Sequence, residues 1–188
     1  MYSLLVVDDE KDVAKSIAYD INWEELDITE VQCVYNGLEA LEYMNKRRVD
    51  VVLTDIRMPG MDGIRLAEKI ADRWKYVKMI FMTGYEEFEY ARQAIELDVL
   101  AYLLKPLERE KVYEAVEKAI GLLEEEQRQR ESETSDFAGT VEVVLAEYLK
   151  NPESDLKEKL AELFVRRKEN PGFYRLGLLQ TGQLEQSA

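Results

Sequence analysis

The chain has no histidine, a single cysteine and few basic side chains. Without histidine, His-based zinc sites, Ser-His and Cys-His catalysis, and a phosphohistidine of the chain's own are all excluded. One thiol, Cys33, closes no intramolecular disulfide and builds no cysteine zinc cage. Twenty-five Lys and Arg stand against 39 Asp and Glu, a net charge of −14. Such a surface repels a phosphate backbone, which argues against general nucleic-acid binding. Long apolar runs are missing too. The N-terminal segment passes straight into Leu4-Leu5-Val6-Val7 and then acids, without the basic flank of a signal peptide. The composition therefore points to a reducing cytoplasm and to no membrane anchor. What the chain does have is 46% hydrophobic residues and a length of 188, enough for one well-buried domain plus something smaller.

The first 120 or so residues alternate short apolar runs with helical periodicity. Leu4 to Val7, Thr29 to Tyr35, Val49 to Thr54, Lys78 to Met82 and Val99 to Leu104 read as five strands. The first, third and fourth are nearly continuous apolar runs, as expected where both faces of a parallel sheet are covered. Helix-patterned segments separate them at 11–20, 37–47, 63–73 and 86–97, and a last one starts near Glu108. Val13, Ile17 and Ile21 recur at four-residue spacing, as do Leu66, Ile70 and, less apolar, Arg73. Alternating β and α units imply an α/β fold: a doubly wound, five-stranded parallel sheet with right-handed crossovers.

Ligands of such sheets bind beyond the carboxyl ends of the strands. After the first strand stand Asp8-Asp9-Glu10, after the third Asp55 and the loop Ile56-Arg57-Met58-Pro59-Gly60-Met61-Asp62-Gly63. The fourth is followed by Thr83-Gly84 and the fifth by Lys105-Pro106. Three carboxylates on one rim are costly unless a positive charge sits among them. A hard divalent cation with oxygen ligands resolves this, and Mg2+ suits a few carboxylates plus phosphate oxygens. The backbone carbonyl of Arg57 is a further candidate ligand. Asp55 would then be a carboxylate nucleophile toward a phosphoryl group, Lys105 its cationic partner and Thr83 a hydroxyl donor to the new phosphoryl oxygen. Pro59-Gly60 and Asp62-Gly63 read as turns that open the third helix, and Lys105-Pro106 as a cis peptide. Each piece has a plainer reading. Asp-Asp-Glu is commonly a helix N-cap with solvated acids, and Lys-Pro is ordinary helix-start punctuation. Their ordered recurrence at successive strand ends favours a site.

Residues 1–122 resemble a bacterial two-component response-regulator receiver domain. The resemblance rests on Leu5-Val6-Val7-Asp8-Asp9-Glu10, on Leu53-Thr54-Asp55 through Gly63, on Met82-Thr83-Gly84-Tyr85 and on Tyr102-Leu103-Leu104-Lys105-Pro106. It implies a flavodoxin-like fold, Asp55 as phosphoacceptor, and Asp8 and Asp9 as the acidic pair of a Mg2+ site. It further implies Thr83 and Lys105 as switch residues, with Tyr102 as the rotating aromatic. Tyr102 also reads as a static, half-buried strand residue. The implied partner is a sensor histidine kinase, and the implied role is signalling rather than enzymatic. Aspartyl-phosphate hydrolases of related architecture usually carry Asp-x-Asp after the first strand, whereas the acidic pair here is adjacent. Asn22-Trp23-Glu24 and Thr83 through Ala91 resemble the receiver subgroup joined to an arabinose-regulator-type helix-turn-helix, which implies a transcriptional output. Two departures stand out. Asp98 occupies a position that is commonly Gly, where a tight turn needs the left-handed conformation that Asp tolerates. Ala101 replaces an acid used across a homodimer face formed by the segment at 86–97, the fifth strand and the final helix, which puts that dimer in doubt.

The final helix is expected to extend over 123–136 and dissolve in the polar run Arg130 to Ser135, a linker. Residues 137–188 then read as an αα-hairpin region, broken at Asn151-Pro152-Glu153-Ser154 and stopped at Asn170-Pro171-Gly172. Arg166-Arg167-Lys168 is the only basic run there, and residues 121–188 carry 9 basic against 14 acidic side chains. DNA contact is therefore expected only through an output domain not evident in this chain. The competing expectation is a stand-alone receiver that acts as an adaptor through protein contacts.

Overall fold

In the computed structural model, residues 1–84 and 97–150 are described. Strand β1 (Tyr2–Val7) leads into helix α1 (Lys11–Tyr19), a 3-10 turn (Trp23–Leu26) and β2 (Ile28–Val34). Helix α2 (Gly37–Lys46), β3 (Val51–Asp55), α3 (Gly63–Arg73), β4 (Lys78–Thr83), β5 (Ala101–Leu104) and α4 (Arg109–Lys150) follow. The five strands form one parallel sheet in the order β2-β1-β3-β4-β5. The expected doubly wound fold is present, with strand ends displaced by at most two residues. The expected segment 86–97 lies almost entirely outside the described residues, as do the hairpin and its turns beyond residue 150.

Side chains alternate across the sheet, so each strand feeds two cores. Leu4, Val6, Leu53 and Ile80 pack with Ile17 of α1 and Val112, Val116 and Ile120 of α4. Leu5, Val7, Val52 and Phe81 pack on the other face with Met44 of α2 and Leu66 and Ile70 of α3. The interior of β1, β3 and β4 is nearly solvent-free, which accounts for their unbroken apolar sequence. Val13, Ile17 and Ile21 all face the first core, as their spacing predicts; Arg73, by contrast, is exposed and stacks over the Trp74 ring.

Local chemistry sets the boundaries. Asn36 caps α2 through its side chain, accepting from the amides of Leu38 and Glu39, and Asp62 caps α3 by accepting from Arg65 at 2.8 Å. Asp98 adopts φ 54°, the left-handed turn expected of it, and the Lys105–Pro106 peptide is cis. Trp23 is buried in the 3-10 turn, donates to the Ile17 carbonyl at 3.0 Å and stacks on Tyr113.

The chain divides into two units, Met1–Glu125 and Glu126 onward. The first holds both cores, whose last buried residue is Leu123. In the second, the described residues to Lys150 are helical, which corrects the expectation that the helix dissolves at Arg130 to Ser135. Glu, Gln and Arg are strong helix formers, and this run satisfies itself with contacts one turn apart. Gln127 donates to Glu131 at 2.9 Å, and the Thr134 hydroxyl donates back to the Arg130 carbonyl at 2.7 Å. A polar composition therefore read as a linker where it makes a solvated helix.

Candidate functional site

The order of the sheet reverses between β1 and β3, and the site lies at that switch point. Asp8 follows β1 directly and Asp55 is the last residue of β3, so parallel pairing of Val7 with Thr54 brings the two acids side by side. Carboxylate oxygens of Asp8, Asp9 and Asp55 lie within 4.8 Å of one another. Asp8 is fully buried, Asp55 nearly so, and Asp9 is exposed. Across the next ladder Asp55 pairs with Met82, which places Thr83 one residue further along β4. Thr83 is buried, and its carbonyl accepts the Lys105 amide at 2.7 Å. That bond ties the end of β5 to the end of β4.

Lys105 reaches back over the rim. Its Nζ lies 2.8 Å from Asp55 Oδ2, 2.9 Å from Asp8 Oδ2 and 3.1 Å from Glu10 Oε1. Burial alone would lower the Lys105 pKa, but the hydrogen bond to Asp55 and the adjacent Asp8 carboxylate outweigh it and leave the pKa raised. Asp8 shifts the other way from a typical ion-paired acid. Burial raises its pKa, and the Lys105 ammonium and the hydrogen bond from the Glu10 amide at 2.9 Å oppose that rise without cancelling it. Asp8 Oδ2 has the ion pair with Lys105 but no hydrogen bond of acceptable geometry. One ammonium thus under-compensates this rim. An all-oxygen donor set with an under-compensated buried carboxylate fits a hard divalent cation.

The loop after β3 is held close to the acids. The Arg57 amide donates to Asp55 Oδ1 at 3.2 Å, and the Gly63 amide donates to the Ile56 carbonyl at 2.8 Å. A Cβ on Gly63 would overlap the Asp55 carbonyl oxygen and lie 3.0 Å from the Ile56 Cα. Tyr102 pairs with Phe81 and is half-buried against the second core. Every site residue read from the sequence except Tyr102 therefore sits at or beside the rim, and Tyr102 stands three residues upstream on β5. The sequence reading did not find the contact of Glu10 with Lys105. The one available signal was a third acid directly after the Asp8-Asp9 pair.

Comparison with known proteins agrees with this geometry. The family described as "Response regulator receiver domain" matches residues 4–117. The chain is 37% identical over 123 residues to the transcriptional regulatory protein YesN of Bacillus subtilis, covering 65% of this chain and 33% of that protein. It is 30% identical over 129 residues to the transcriptional regulatory protein HptR of Staphylococcus aureus, covering 69% of this chain and 50% of that one. The chain thus spans between a third and about half of these relatives. Among solved structures, it resembles the REC domain of AraT, a response regulator from Geobacillus stearothermophilus. The TM-score is 0.62 at 40% identity, over 67% of this chain and 98% of that one. A two-component transcriptional regulator AraC from Clostridium phytofermentans matches with TM-score 0.61 at 32% identity, over 69% and 99%. Since the family match extends over more than half of the chain and contains all four strand ends that build the rim, this chain belongs to the response regulator receiver domain family.

Proposed function

We propose that Asp55 is the phosphoacceptor of a two-component signalling system and that its modification switches a downstream output. The observation that carries this reading is the pairing of Asp55 with Lys105 at 2.8 Å inside a rim of three close carboxylates. Asp8, Asp9 and Asp55, with the Arg57 backbone carbonyl, would hold Mg2+. When bound, Mg2+ supplies positive charge against the transferring phosphoryl group. A carboxylate oxygen of Asp55 attacks phosphorus, the bond from phosphorus to the donor nitrogen of a sensor kinase's phosphohistidine breaks, and the departing imidazole keeps that electron pair. Lys105 pairs with the carboxylates beforehand and with a phosphoryl oxygen afterwards. The Thr83 hydroxyl then turns to donate to the phosphoryl group, and Tyr102 turns inward, a population shift of the β4–β5 edge.

Incubating the chain with Mg2+ and a small phosphodonor is expected to give one base-labile phosphoryl adduct, absent in Asp55→Ala. An adduct undiminished in that variant would falsify the reading. Amide spectra with a phosphate mimic should shift at Thr83 and Tyr102; unchanged signals there would remove the switch mechanism. The names of the relatives support a transcriptional output. No helix among the described residues is long and apolar enough to cross a membrane.

A further inference from the structure

Lys105 has a third anionic partner that the phosphoacceptor and the acidic pair do not account for. Its ammonium donates to Asp55 Oδ2 at 2.8 Å and to Glu10 Oε1 at 3.1 Å, while Asp8 holds it as an ion pair. Glu10 does not belong to the acidic trio, and its side chain is 64% exposed. It stands at the N-cap position of α1, yet its side chain bonds none of the helix amides. Its backbone is fixed, because its amide donates to Asp8 Oδ1 at 2.9 Å. The carboxylate is thus held at the rim by Asp8 and directed at Lys105 rather than at its own helix. Both Glu10 and Lys105 also line a cavity of about 650 Å³ floored by Val13, Ile17 and Leu107, so Lys105 has open space to swing into.

We propose that Glu10 is a positioning residue for Lys105. When Asp55 takes a phosphoryl group and the acidic trio faces a cation, two of the three partners of Lys105 change their charge balance. Glu10 is the partner that stays the same. It keeps the ammonium at the rim, with its remaining donors aimed at the phosphoryl oxygen, instead of releasing it toward the cavity. This inference rests on the reading of Asp55 as phosphoacceptor.

The test is a double-mutant cycle on the full chain, following adduct formation from phosphoramidate at fixed Mg2+ by intact-protein mass spectrometry. Glu10→Ala is expected to slow the reaction about threefold, the scale of a partly exposed ion pair. In a Lys105→Ala background the same change should slow it no further. Equal slowing in both backgrounds, an unchanged rate or a faster one overturns the inference while leaving the role of Asp55 intact. Absence of any adduct on the unsubstituted chain overturns both.

Discussion

Gly63 is the residue whose side chain the site can least accommodate. A methyl there meets the backbone of Asp55 and Ile56, and backbone does not move aside as a flexible side chain does. Gly63→Ala is therefore expected to cost about 1–3 kcal/mol by overpacking and to slow phosphorylation, because the displaced atoms carry the acceptor carboxylate. Gly60→Ala is the control: φ is +83° with open space around it, so it should lose about 1–2 kcal/mol through backbone conformation and leave the rate nearly unchanged. Equal effects of both on the rate would refute the close-contact argument. Asp8 makes a second case. Its pKa is raised chiefly by burial, so the folded state holds the proton more tightly than the unfolded chain does. That contribution is fully present below the unfolded carboxylate pKa and is lost as pH rises through the folded one, leaving a costly buried charge at neutral pH. Asp8→Asn should raise the melting temperature without Mg2+, on the order of 1 kcal/mol, and abolish the further rise that Mg2+ gives the unsubstituted chain. A lower melting temperature without Mg2+ would contradict it. The acids, Thr83 and Lys105 were legible in the sequence because each directly follows an apolar run, so strand position alone predicts the rim. The reach of Glu10 was not legible, since an exposed acid before a helix has the same sequence signature whether it caps the helix or turns away. The network of Ser3, Arg48 and Asp50 was hidden for a related reason. The amide and hydroxyl of Ser3 donate to Asp50 at 3.0 Å, a pairing that forms only when β1 lies beside β3, and Arg48 donates to the same carboxylate at 2.8 Å.

Elements with strong apolar periodicity were readable nearly to the residue, whereas those set by side-chain hydrogen bonds were not. The 3-10 turn at Trp23 is an example: its sequence has no period, and it forms because the indole is buried with a carbonyl to bond. The polar stretch of α4 is the clearest misreading. Its composition resembles a linker, but Gln127, Arg130 and Thr134 each reach a partner one turn away. A linker and a solvated helix respond differently to proline. Ser132 is exposed, and in a helix its substitution by proline removes the backbone bond to Arg128 and clashes with that carbonyl, about 3 kcal/mol. Ser132→Pro should reduce the helical signal in far-UV circular dichroism while leaving the main thermal transition of the first unit in place. An unchanged spectrum would restore the linker reading.

At the scale of the whole molecule, the question is whether the switch depends on the second unit. Both cores close within the first unit, with Leu123 their last buried member, and the rim is built entirely from residues between Asp8 and Lys105. Directly beyond Leu123, Glu124, Glu125, Gln127 and Arg128 of α4 are exposed and polar. Hydrophobic stabilisation scales with apolar area removed from water, and no described member of either core lies beyond Leu123. The truncated chain 1–125 is therefore expected to unfold in one cooperative transition. Its melting temperature should lie within a few degrees of the first transition of the full chain, because every described member of both cores is retained. It should take up a phosphoryl group at the same rate, and Asp55→Ala should silence it equally. A truncated chain that folds but reacts more than tenfold slower would show that the second unit contributes to the chemistry, a coupling above about 1.4 kcal/mol. Failure to fold would instead place part of the stability beyond Glu125, against the burial pattern that ends at Leu123.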